Sequence, residues 1–158
     1  MSLFILILLL ILTICYNSYT IYLNKGVPES ISNTAYILNK RRYLFSLYCF
    51  LLVCGLLPVW LGVSIVTYRF LVFISCMGIL FAGVTPFFKE NNTLDKPIHY
   101  TAGIIAVIAY LIWMILSGYY VALIIEGIIS LILVLIDYKN FVYYIEIIGL
   151  ITLLLILI

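Results

Sequence analysis

The chain has 158 residues, of which 67% are hydrophobic and 9% charged, with a mean hydropathy of +1.33 and a formal net charge of +2. So few polar side chains cannot cover a soluble fold of this size, because about 25% of an average globular sequence is charged. The small positive excess gives no basis for a nucleic-acid role.

The intervals between charges set out the elements in chain order. No charged side chain precedes Lys25, and the run through Ile14 is almost wholly Leu, Ile and Phe. This predicts a first membrane helix over residues 2–23. A cleavable signal peptide is disfavoured, because the start lacks Lys and Arg and no small-residue cleavage pattern follows. Leu12-Thr13-Ile14-Cys15 faintly resembles a lipoprotein signal, but Ile14 is bulky where a small residue is needed. Uncharged stretches predict a second helix over 43–67 and a third over 69–88. Residues 97–136 carry one formal charge, Glu126. As helix that stretch would measure ~60 Å, twice the ~30 Å thickness of bilayer hydrocarbon, so it must fold back on itself. The turn residues Ser117-Gly118 divide it into helices over 98–117 and 119–136, and the polar hairpin Asp137-Tyr138-Lys139-Asn140 introduces a sixth over 141–158.

The predicted fold is all-α: a polytopic bundle of six transmembrane helices forming one integral membrane domain over 1–158. Strands of a membrane barrel alternate apolar and polar residues, whereas these spans are continuous apolar runs.

Basic residues predict the orientation. The connections after the first, third and fifth helices hold Lys25, Lys40, Arg41, Arg42, Lys89, Lys96 and Lys139, while those after the second and fourth hold only Arg69. By the positive-inside rule both termini are expected outside the cytoplasm, and the membrane expected is a bacterial inner membrane. Trp60, Tyr68, Trp113, Tyr119 and Tyr120 then mark the outer interface, and Tyr43, Phe87, Phe88, Tyr100, Tyr138, Phe141, Tyr143 and Tyr144 the inner one.

The connection between the first two helices reads as an interfacial segment. Pro28 can open a helix, Ile31, Ala35 and Leu38 recur on one face, and Lys40-Arg41-Arg42 close it with positive charge. The apolar stripe faces either lipid or the bundle. The basic triplet is an anchor and a candidate contact for anionic lipid headgroups, while Ser30 and Ser32 read as capping residues or ligand donors.

Three titratable residues inside predicted spans require a reason. Glu126 lies eleven residues before Asp137, about 16 Å into the membrane, where an ionised carboxylate is costly; it is expected to be neutral and turned toward another helix. Glu146 lies closer to the same surface, and His99 opens the fourth helix on that side, so the two are compatible in depth with a hydrogen bond. A single histidine offers no metal centre, since catalytic zinc normally takes three protein ligands, and no cofactor is expected. Cys15, Cys49, Cys54 and Cys76 all fall within spans and read as small apolar groups. Ser75, Gly78 and Ala82 on the third helix, and Ala102, Ala106 and Ala109 on the fourth, form small-residue faces suited to close approach.

Gly83-x-x-Pro86, a short polar loop and His99 at the head of the next helix resemble a signature of bacterial six-helix membrane proteins of unknown function. That group is distantly similar to eukaryotic remodelling factors for glycolipid anchors. The stretch concerned runs from Gly78 to Ala109. The resemblance implies a six-helix bundle with Pro86 and His99 beside a lipid-facing or headgroup site, and implies no reaction.

These features favour a non-enzymatic protein that binds membrane lipids, a membrane-protein partner or a second copy of itself. A small proton-coupled permease built on Glu126 is the alternative, and a membrane-embedded lipid hydrolase or transferase using His99 a further one. A polar cavity shared by Glu126 and His99 would favour transport or catalysis; separate partners would favour binding.

Overall fold

The computed structural model of the protein describes residues 2–85 and 95–158. Pro86 and the link to 94 lie outside the described residues. The elements in order are α1 (Ser2–Asn24), α2 (Thr34–Ile37), α3 (Tyr43–Val63), α4 (Arg69–Val84), α5 (Asp95–Leu116), α6 (Tyr120–Ile136) and α7 (Phe141–Leu157). Six are long and the seventh, α2, is one turn within the segment between α1 and α3. Among the described residues five spans are long and apolar enough to cross a membrane, and α6 is an apolar helix of 17 residues at the lower limit of that length. The chain is therefore a polytopic α-helical bundle.

The sequence places most helix ends within a few residues, and the differences have local causes. The second long helix stops at Val63 because Ser64 is extended, with ψ 136°, and its hydroxyl turns back to the Trp60 carbonyl at 2.6 Å. A short 3-10 turn over Val66–Tyr68 then leads into α4. The fourth long helix begins at Asp95, earlier than expected, because Pro97 falls in the first turn, where its missing N–H has no helical acceptor. Between α5 and α6, Gly118 takes φ +81°, a conformation that explains why the turn falls there. The hairpin before α7 is tied by the Asn140 side-chain amide, which donates to Asp137 Oδ2 at 2.9 Å. Together with the Tyr144 hydroxyl, that amide holds the Asp137 carboxyl below the usual carboxylate range.

The most extensive helix contact joins α4 and α5, followed by α3 with α4; α6 packs on α7 and more sparsely on α5. A Cβ at Gly78 would lie 2.7 Å from the Ala102 carbonyl oxygen and 2.8 Å from the Ala106 methyl, so α4 meets α5 backbone to backbone. Ser75 Oγ donates across the same seam to the Ala106 carbonyl at 3.0 Å. On the other side of α4, a Cβ at Gly83 would lie 2.6 Å from Cys49 Cβ, and Ser46 Oγ donates to the Gly83 carbonyl at 2.5 Å. Gly83 thus lets α3 approach α4. Trp60 and Trp113 are fully buried. Rather than lipid-facing anchors, they pack edge to face at 5.2 Å, with Tyr119 stacked on Trp113. Trp113 reaches this position because its indole N–H donates to Ser64 Oγ at 2.9 Å.

A candidate polar cleft beneath the interfacial segment

The segment from Glu29 to Leu38 is held onto the bundle by its backbone as much as by its side chains. Ile31, Ala35 and Leu38 are buried, so the apolar stripe faces the helices. Only Thr34–Ile37 is α-helical, and Asn39 at φ 46° ends the run before the basic triplet. Glu146 Oε2, from α7, accepts the Ile31 N–H at 2.5 Å, and the Tyr143 N–H donates to the Glu29 carbonyl at 3.1 Å. Thr34 Oγ1 donates to the Ile31 carbonyl at 2.5 Å, which leaves its oxygen to accept from the Tyr16 hydroxyl of α1. Ser30 Oγ accepts the Asn33 N–H at 2.9 Å and contacts Ser32 Oγ at 2.9 Å, a local turn ahead of α2, whose N-cap residue is Asn33 and carries no side-chain cap.

The three titratable residues are kept apart. His99 Nδ1, on α5, meets Thr85 Oγ1 at 2.7 Å and the Ala82 carbonyl at 3.2 Å. Glu146 serves the Ile31 N–H, so the two residues compatible in depth have different partners. Glu126, buried at 8% exposure, accepts the Tyr110 hydroxyl of α5 at 2.7 Å, with Gly149 of α7 passing close to its other oxygen. It faces a neighbouring helix, as its depth requires. It lines neither of the two cavities described below.

One cavity, of about 390 Å³, lies where the interfacial segment crosses the heads of α5 and α7. Glu29, Ser32 and Asn33 border it from the segment, His99 and Tyr100 from α5, and Val142 from α7. The other, of about 560 Å³, is an apolar groove along α4 and α5 beside Gly78. His99 is thus the one sequence-selected titratable residue that borders the polar cleft. Gly83 lies two residues before Thr85, the partner of the His99 ring, at the end of α4 that packs on α3. Lys40, Arg41 and Arg42 do not line the cleft; Arg41 Nη1 donates to the Tyr19 hydroxyl of α1 at 2.7 Å.

Sequence reasoning passed over Glu29 and Asn33, whose only signal was proximity to Pro28, and took Tyr100 for an interfacial aromatic alone. It also passed over a polar seam inside the bundle. Tyr143 donates to Asn17 Oδ1 at 3.0 Å, Asn17 donates to the Thr13 carbonyl at 2.8 Å, and Tyr16 stacks on Tyr48 at 4.2 Å. The helical spacing of Thr13, Asn17 and Thr20 was the available clue, and all three are buried.

Fold and cleft together define an α-helical integral membrane protein with a polar recess under a surface segment. Comparison with protein-family models, with curated proteins and with solved structures gives no match.

Proposed function

We propose that this is a non-enzymatic lipid-binding protein of the bacterial inner membrane, with both termini outside the cytoplasm and the cleft in the inner headgroup layer. The carrying observation is the position of the recess: a polar cleft at the junction of the interfacial segment with α5 and α7. In this orientation the cleft opens at the depth of headgroups, and Lys40, Arg41 and Arg42 press the segment toward an acidic leaflet, each contributing about 1 kcal/mol. The separate partners of Glu126 and His99 support binding over proton-coupled transport. Ser30 and Ser32 are engaged with each other and with the Asn33 N–H, which supports the same reading over serine hydrolysis.

The test is native mass spectrometry of the protein extracted in mild detergent. The wild type should carry lipid, and the cleft-filling variants Ser32→Trp and Val142→Trp should lose it while remaining folded. Undiminished lipid in both would place binding elsewhere. Orientation is checked with impermeant thiol reagents in a background lacking the exposed Cys15 and Cys54. Single cysteines at Ser2 and Ile158 should label from outside and one at Lys139 should not; the reverse pattern inverts the topology.

A further inference from the structure

The chemistry of the cleft selects among headgroups. Thr85 Oγ1 donates its proton to the Ala82 carbonyl at 2.8 Å, so toward His99 it can only accept. Nδ1 is then the protonated nitrogen of the neutral ring, and its lone pair is on Nε2. With Nδ1 bound on the α4 side, Nε2 is the nitrogen left to the cleft that the ring borders. Glu29 adds carboxylate oxygens, which are acceptors only. Tyr36 and Tyr100 also line the cleft, and no Lys or Arg among the described residues does. An anionic group here would face Glu29 with no described cation to offset it. A primary ammonium group presents three N–H donors and a positive charge to two kinds of acceptor and to aromatic faces that attract cations.

We infer that the cleft receives a primary ammonium group, as carried by an aminoethyl phosphate headgroup, with Glu29 as counter-ion, His99 Nε2 as acceptor, and Tyr36 and Tyr100 beside the cation. This rests on the reading of the cleft as a lipid site, but the chemistry is specific to it. The basic triplet and the cleft have separate tasks: the triplet meets the acidic leaflet, and the cleft reads an amine.

The experiment uses the full chain in micelles doped equally with phosphatidylethanolamine, phosphatidylcholine and phosphatidylglycerol, with bound lipid counted by native mass spectrometry. Phosphatidylethanolamine should be preferred by about tenfold over each of the others, the ratio that about 1.4 kcal/mol produces. Glu29→Gln should bring the three to parity, and Tyr100→Leu, at an exposed position, should lower the preference without affecting folding. Equal retention of the three lipids by the wild type overturns the ammonium assignment and leaves lipid binding standing. A preference that survives both variants overturns the assignment of these residues. Absence of any bound lipid, with soluble glycerophosphoethanolamine binding in a Glu29-dependent way, keeps the ammonium chemistry and replaces the membrane source by a free amine. Failure of both probes ends the ammonium assignment and the lipid reading together.

Discussion

The α4–α5 pair and the α5–α6 pair are joined by opposite means. Between α4 and α5 the contact is shape: Gly78 and Ser75 against Ala102 and Ala106, with backbone atoms too close for a further Cβ. In α6 the only buried residue is the acid, Glu126, while apolar side chains such as Val121 at 72% and Leu135 at 78% exposure turn outward. A soluble helix with this distribution would be inside out. In lipid, apolar side chains gain nothing by leaving the acyl chains, so a helix is recruited by close packing or by a polar group that needs a partner. The first means tolerates no added volume, and the second tolerates no loss of the donor–acceptor pair.

Four measurements break or sharpen that contrast. Gly78→Leu should have the largest effect, costing about 3 kcal/mol or more because the new side chain meets the Ala102 backbone, and it should abolish a monodisperse product. Gly127→Leu on α6, where no atom lies within 4 Å of the added Cβ, should leave thermal unfolding in detergent unchanged. Equal tolerance at both sites would remove the distinction between the pairs.

Glu146→Leu comes next. It orphans the Ile31 N–H, at a cost of about 1–3 kcal/mol localised on the interfacial segment, whereas Glu146→Gln retains an accepting oxygen. The measurement is limited trypsin cleavage at Lys40, Arg41 and Arg42. Cleavage should accelerate for Leu and stay near wild type for Gln; identical rates for all three proteins would make the α7 latch incidental.

A smaller cost, about 1 kcal/mol, is expected for Glu126→Leu, which strands the Tyr110 hydroxyl. Glu126→Gln should be nearly silent, and combining Tyr110→Phe with Glu126→Leu should cost less than the sum of the single changes. Strict additivity in thermal unfolding would show that the pair does not couple α5 to α6. Ser75→Ala should be the mildest, about 0.6 kcal/mol, because the Ala106 carbonyl keeps its helical donor and the small-residue contact stays intact. A larger loss from Ser75→Ala than from Gly78→Leu would mean that hydrogen bonding, not shape, holds the tight pair.

What the sequence determined by itself was the helical membrane class and the approximate spans, because hydropathy over a bilayer-long window depends on composition and not on neighbours. The small-residue faces of α4 and α5 were legible for a related reason: helical spacing places Ser75, Gly78 and Ala82 on one side whatever they meet. The depth of Glu126 followed from counting residues along a helix, but its partner Tyr110 lies 16 positions earlier on another helix and belongs to packing. The same limit hid the cleft. Glu29, His99 and Val142 are far apart in the chain, and only the way α5 and α7 bring their heads under the interfacial segment sets them around one space. Tertiary structure also decided that Ile31, Ala35 and Leu38 face the bundle and that Trp60 and Trp113 are core rather than belt. An apolar side chain in a membrane protein is equally at home against lipid or another helix, so hydropathy cannot choose between them.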